Sequence, residues 1–343
     1  MNVLLIKTSS LGDVFHTLPA LEDAYRQIPN LKVDWVVEEG FAAIPEWHPA
    51  VNDVIPVAWR RWRKQLFKKE HRQEMAAFRS RLNERQYDLV LDAQGLIKSA
   101  LITSLVKASN NKVGLSKSSA REPLAAKAYR RHIDVPKGQH AIHRLRSLFA
   151  QTFEYSIDGL DFSYGVSRSR WQRPDIEDDY WLFLHGTTWV TKLWPECYWR
   201  ELASMALMNG RQVVLPWGND EELQRAERIA EGLDGVLVLP KMGLDTLTSW
   251  LASAEAIVGV DTGLCHVAAA LEVPAVAIYG STDSSLTGAL GPEMEVLASQ
   301  YSCAPCLSRK CLNPGDGDVQ PPCYVEVGPQ RVLSQLLGRL AQP

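Results

Sequence analysis

The chain has 343 residues, 46% of them hydrophobic and 22% charged, with 22 glycines and 19 prolines. That length suits two globular domains, and the composition excludes collagen-like, low-complexity and disordered chains. No apolar run approaches the roughly 18–20 residues that span a bilayer. The net charge of −3 hides a division: residues 1–160 carry 24 Lys and Arg against 17 Asp and Glu, whereas 161–343 carry 13 against 23.

In chain order, residues 1–7 (MNVLLIK) read as a strand and lack a signal peptide's basic region and cleavage site, so the expected location is cytoplasmic. That strand is placed at 3–6 and is followed by strands over 33–37, 54–57 and 89–91, with helices over 15–27, 70–85, 98–107 and 141–152. The polar, irregular stretch 155–179 is the predicted linker. The rhythm then restarts, with strands over 181–185, 212–216, 236–239, 256–260 and 275–279 and helices over 196–208, 221–232, 244–254 and 263–271. A last helix covers 330–340. Apolar strands alternating with amphipathic helices predict an α/β fold of parallel sheets. Two Rossmann-like domains facing each other across a cleft fit this best, spanning 1–165 and 175–328, with 329–343 expected to pack back toward the first.

In open α/β sheets ligands bind beyond the carboxyl ends of strands, where loops lead into helix N-termini. Four segments sit there. Residues 7–13 (KTSSLGD) follow the first strand; they have neither a G-x-G-x-x-G nor a Walker lysine, but bring Lys7, Ser10 and Asp13 to the domain's edge. As a residue before a helix, Asp13 also suits a simple cap. Residues 92–98 (DAQGLIK) add Gln94 and Lys98, and the basic half supplies Arg60, Arg61, Arg63, Lys64, Arg121, His140 and Arg144. Arginine forks match carboxylate and phosphate, so this half suits an anionic partner, and Trp59 and Trp62 between the arginines suit a membrane–water boundary. Solvated helical faces are the plain alternative for both basic runs, 60–85 and 107–146.

In the acidic half, residues 260–266 (VDTGLCH) run from a strand into a helix whose first amides attract a phosphate, with Gly263 allowing close approach and Thr262 adding a hydroxyl. Asp261 and His266 are placed to read sugar hydroxyls. Residues 185–195 (HGTTWVTKLWP) add Thr187, Thr188 and Lys192, the parts of a phosphate clamp. Together these loops predict a nucleotide diphosphate, with Met242 offering contact to a base. Cys303, Cys306, Cys311 and Cys323 form a C-x2-C-x4-C-x11-C set with Pro305, Pro314, Pro321 and Pro322 between and beside them. Free thiols are expected there, with structural zinc as the alternative.

The motifs 7–21 (KTSSLGDVFHTLPAL), 35–41 (WVVEEGF), 54–64 (VIPVAWRRWRK), 92–100 (DAQGLIKSA), 185–195, 215–218 (LPWG), 239–242 (LPKM) and 260–266 make the chain similar to the lipopolysaccharide heptosyltransferase I family. The resemblance spans nearly the whole chain; the 303–323 stretch looks more like other members of the wider heptosyltransferase family. It implies a GT-B fold and an inverting, metal-independent glycosyltransferase without a cofactor. The implied reaction moves L-glycero-D-manno-heptose from ADP-heptose, as co-substrate, to the first Kdo of Kdo2-lipid A in lipopolysaccharide core biosynthesis. It further implies Asp13 as base, Lys192 stabilising the departing ADP, Glu222 on the ribose, Met242 on the adenine, and the cationic set on the acceptor. The expected protein is a monomer, peripheral on the cytoplasmic face of the inner membrane, with no nucleic-acid partner. A heptosyltransferase II acting on the first heptose, a non-catalytic sugar-nucleotide or lipopolysaccharide binder, and a zinc-stabilised nucleic-acid binder are the competing readings.

Overall fold

The computed structural model describes residues 1–65, 68–313 and 317–341, so Pro314 lies outside the described residues. The chain divides into two compact units, Met1–Val166 and Ser167–Pro343. In the first, strands β1 (Asn2–Ile6), β2 (Lys32–Glu38), β3 (Val51–Val57), β4 (Leu89–Asp92), β5 (Lys112–Leu115) and β6 (Arg131–Ile133) form one sheet in the order β3-β2-β1-β4-β5-β6. Helices α1 (Leu11–Phe15), α2 (Leu18–Gln27), α3 (Trp59–Trp62), α4 (Lys69–Arg81), α5 (Ile97–Leu105) and α6 (Ala141–Phe153) accompany it. In the second, β7 (Tyr180–Leu184), β8 (Gln212–Leu215), β9 (Val236–Val238), β10 (Ala256–Val260), β11 (Ala275–Tyr279) and β12 (Met294–Ala298) run in the order β12-β11-β10-β7-β8-β9. Its helices are α7 (Glu196–Met208), α8 (Asp220–Ala230), α9 (Leu244–Ser253), α10 (Gly263–Ala270), α11 (Ser284–Thr287) and α12 (Pro329–Leu340).

Every strand pair is parallel. The central strands β7, β10 and β11 are buried along their whole length, which explains their uninterrupted apolar sequences. Both sheets have the same topology: the first strand of each unit pairs with the second on one side and the fourth on the other. The order therefore reverses between β1 and β4, and again between β7 and β10, creating a switch point in each sheet.

The first core joins Leu4, Ile6, Val36 and Val90 to Trp62, Phe78 and Ile102. The second is built on Trp181, Phe183, Trp194 and Trp199, whose indoles meet at 4.9 Å in the last pair. The terminal helix, expected to pack toward the first domain, buries Val332 and Leu336 in this second core. The single helix predicted over 15–27 is two: α1 ends at Phe15, and α2 starts behind Thr17 with Pro19 in its first turn. Among the described residues no helix is long and apolar enough to cross a membrane.

Candidate active site

The four segments singled out from sequence occupy the two switch points. In the first unit the loop after β1 is tied to the loop after β4. Gln94 Oε1 accepts the amides of Thr8 at 2.9 Å and Ser9 at 3.2 Å, and its Nε2 donates to Ser9 O at 2.7 Å. Lys7 Nζ donates to Ala93 O at 3.1 Å. Lys7 and Gln94, expected to face an acceptor, thus hold the two loops together. Asp92, at the end of β4, is wholly buried; it takes the Tyr129 hydroxyl at 2.7 Å and the Gln94 amide at 2.8 Å. Burial drives its carboxyl above the usual range, and these hydrogen bonds pull it back. Burial also lowers the Lys7 ammonium, which Asp13 and Asp92 raise and Arg144 lowers further.

Asp13 is the third residue of α1, and Ser10, not Asp13, is the cap. Asp13 Oδ2 accepts from Ser10 N at 2.6 Å and Ser10 Oγ at 2.9 Å, a reciprocal capping box. The box fixes the carboxylate's orientation through one oxygen. Among the described residues no protein donor reaches Oδ1.

Lys98 lies one residue into α5 and donates to Ser9 Oγ at 2.5 Å. Burial pushes its ammonium below the ordinary value; Glu38 and Asp13 raise it, and Arg60 and Arg63 lower it. These five ionisable groups share one electrostatic neighbourhood, which adds Glu38 to the expected set. Glu38 ends β2, and its Oε1 accepts the Arg60 amide at 2.9 Å. Its Oε2 is buried with no hydrogen bond among the described residues, as is Thr8 Oγ1. Sequence reading missed Glu38 because β2 meets the β1 loop only through sheet order.

The basic runs face solvent less freely than their count suggests. Arg61 binds Glu39 at 3.0 Å and Glu74 at 2.8 Å. Arg81 and Arg85 pair with Asp53, and Arg85 with Asp34. Arg146 is buried against Asp23 at 2.6 Å. Arg144 donates to the carbonyls of Pro136 and Ser119. His140 caps α6, its Nδ1 accepting from Ile142 N at 3.2 Å. Arg60, whose guanidinium lies 5.3 Å over the Phe41 ring, and Arg63, Lys64 and Arg121 are exposed. Trp62, expected at a membrane boundary with Trp59, is instead buried: its Nε1 donates to Glu74 at 2.6 Å and its ring packs on Phe78.

At the second switch point the loop after β7 is tied to the loop after β10 through Asp261. Thr187 Oγ1 donates to Asp261 O at 2.9 Å, and Lys192 Nζ reaches Asp261 Oδ2 at 2.7 Å. Thr282, after β11, donates to the same oxygen at 2.5 Å. Thr282 was not singled out from sequence, since only the pairing of β11 beside β10 brings it there. Lys192 Nζ also lies 4.6 Å from the Trp189 ring centre, which Arg309 covers at 5.0 Å. Thr262 is the N-cap residue of α10, Gly263 opens that helix, and His266 is buried in its second turn. Thr188 is exposed.

Glu222 is in the first turn of α8, behind the Asn219 cap, and its Oε2 accepts Gly218 N at 2.7 Å. A Cβ at Gly186 would come within 2.7 Å of its carboxyl carbon, so that glycine lets the β7 loop and α8 close together. Met242 sits half-buried on the loop before α9. His185 is fully buried, and burial beside Arg225 pushes its imidazole down to about 4.

Cys303, Cys306, Cys311 and Cys323 line one small cavity together with Thr191 and Ser281. All are free thiols; burial and the three neighbouring sulfurs push Cys323 up to about 11. Among the described residues no group of three or more His, Cys, Asp or Glu side chains is arranged to hold a metal ion. The segment buttresses the Lys192 loop: Thr191 Oγ1 donates to Ser308 O at 2.6 Å, and the Tyr324 hydroxyl to Thr191 O at 3.3 Å.

Residues 75–315 match the profile of glycosyltransferase family 9 (heptosyltransferase). The chain belongs to this heptosyltransferase family. It is 51% identical to lipopolysaccharide heptosyltransferase 1 of Pseudomonas aeruginosa, over 100% of this chain and 99% of that protein. The solved structure of Escherichia coli heptosyltransferase WaaC with ADP matches with a TM-score of 0.83 and 48% identity, over 87% of this chain and 93% of that one. WaaC with ADP-2-deoxy-2-fluoro heptose matches with a TM-score of 0.80 and 47% identity over the same shares. The two parallel sheets and these matches show the expected α/β fold of GT-B heptosyltransferases. The chain is a glycosyltransferase of lipopolysaccharide biosynthesis.

Proposed function

We propose that the protein transfers L-glycero-D-manno-heptose from ADP-heptose to the first Kdo of Kdo2-lipid A, with inversion and without a metal ion. End-to-end identity to a heptosyltransferase 1, and a matched structure whose ligand is an ADP-heptose analogue, support this choice of acceptor and donor. The observation that carries it is the division of chemistry between the two switch points: an oriented carboxylate with an unpaired oxygen in one, and a lysine–hydroxyl–helix-terminus anion site in the other.

Inversion needs one in-line displacement. The acceptor hydroxyl attacks the anomeric carbon, Asp13 Oδ1 takes its proton, and the ADP oxygen leaves. A base so placed contributes about 10²–10⁴-fold. As the glycosidic bond breaks, negative charge grows on the diphosphate. Lys192, turned from Asp261 to the phosphate, the hydroxyls of Thr187 and Thr188, and the amides of Thr262 and Gly263 stabilise it where other enzymes use a metal. Glu222 reads the ribose, Met242 the adenine, and Asp261 and His266 the sugar phosphate. Arg60, Arg63, Lys64, Lys98 and Arg121 meet the acceptor's carboxylates and phosphates, and the protein works as a peripheral enzyme on the cytoplasmic face of the inner membrane, a reading that this exposed cationic set supports.

Purified protein incubated with ADP-heptose and Kdo2-lipid A should give a product heavier by one heptose in mass spectrometry. Product only with an already heptosylated acceptor would assign it as a heptosyltransferase II, and nucleotide binding without product would make it a binding protein.

A further inference from the structure

Beside the first switch point lies a cavity of about 170 Å³ walled by Trp59, Trp62, Phe78, Leu101 and Leu105, with Arg63 among its lining residues. A pocket of this size with a nearly all-apolar lining can take up apolar matter; an engineered cavity of about 150 Å³ binds benzene. It continues outward. Ile97, Leu101 and Leu105 recur every four residues on α5 and are 42%, 50% and 36% exposed, an apolar stripe without a partner among the described residues. The stripe is about 12 Å long at helical rise. It begins beside Lys98 and ends at the cavity. Arg63, on the cavity lining, and Arg60 are exposed, and both act electrostatically on Lys98, as Asp13 does.

We propose that this cavity and the α5 stripe bind an acyl chain of the glycolipid acceptor. The inference rests on the acceptor proposed above and adds to it a hydrocarbon subsite apart from the polar one. An apolar cavity with Arg63 on its lining and Arg60 near the end of the stripe fits an anionic amphiphile, whose headgroup pairs with arginine while its chain leaves water. A partner helix, about 10–12 Å wide with its side chains, is too thick for the cavity, whereas a single chain is not. The stripe connects the site of chain burial to the neighbourhood of the candidate base, so chain and sugar would belong to one molecule.

The test uses the full-length protein with decyl phosphate and inorganic phosphate in calorimetry, and acylated and fully deacylated Kdo2-lipid A in transfer assays. The key variant is Leu101→Gln, at a half-exposed position where a polar residue is tolerated; Leu105→Gln repeats it independently. The expected result is decyl phosphate binding that weakens at least fivefold in either variant. KM should rise at least fivefold for the acylated acceptor and stay within twofold for the deacylated one. Decyl phosphate bound equally by wild type and variants, or not at all, overturns the proposal, as does an equal rise in KM for both acceptors. If wild type transfers heptose to neither acceptor, the functional reading fails, and calorimetry alone still decides the subsite.

Discussion

The two sheets share one strand order and one kind of tie between their central loops, yet the ties differ in chemistry. At the first switch point a neutral carboxamide, Gln94, clamps the backbone of Thr8 and Ser9, leaving the ionisable groups Asp13, Lys98 and Glu38 to face one another. At the second the tie is itself charged, Lys192 to Asp261, with Thr187 and Thr282 completing it. A tie made to backbone atoms, by Gln94 and by Lys7, suits a place where a proton must move, since it does not compete for the base. A charged tie suits a place where an anion must arrive, since the anion can replace Asp261 as the partner of Lys192. Under the proposed function the same fold hosts an acid–base site and an anion site because the loops, not the sheets, carry the chemistry.

The sharpest way to break this contrast is at Asp13. Asp13→Ala should lower kcat by at least about a hundredfold, and near-normal turnover in a steady-state transfer assay would remove it from the role. Lys192→Ala, which also leaves Asp261 without its cation, should lower kcat/KM by about 10²–10³-fold, as loss of one transition-state donor does.

A third test concerns His185, at the root of the Lys192 loop. Its folded value of about 4 lies below the ordinary 6.5. As pH falls through that interval the unfolded chain binds a proton that the folded chain refuses. Stability present above pH 6.5 is therefore lost progressively toward pH 4, by up to about 3 kcal/mol. Chemical denaturation across that range should show the loss in wild type and a shallower slope in His185→Asn. The smallest effect belongs to the rim. Replacing both Arg63 and Lys64 by Gln should raise the acceptor KM about three- to tenfold, the scale of two exposed ion pairs, with the donor KM unchanged.

Much of this contrast is legible in the sequence. The strands β1, β4, β7 and β10 read as apolar runs in the sequence, and each is followed by a loop that sits at a switch point. The strands β5, β6 and β12 were not predicted: KVGL, RHI and MEVLA are short and carry charge, and they form because neighbouring strands supply their hydrogen bonds. Pro56 lies in β3, where an edge position tolerates it. Glu38, Thr282 and Arg309 were out of reach for a related reason, since nothing local ties them to Lys98, Asp261 or Trp189. The same limit misjudged Trp62 and much of the basic excess. A count of arginines does not show that Glu39, Glu74, Asp34 and Asp53 fold back onto them.

Calorimetric titration of ADP into Asp13→Asn and Lys192→Ala, side by side with wild type, tests the separation of roles most directly. Asp13→Asn should bind ADP as wild type does, while Lys192→Ala binds about tenfold more weakly, the loss of one charge-assisted contact. Nucleotide affinity lost in Asp13→Asn, or kept intact in Lys192→Ala, would contradict the assignment of base and anion site to different sheets.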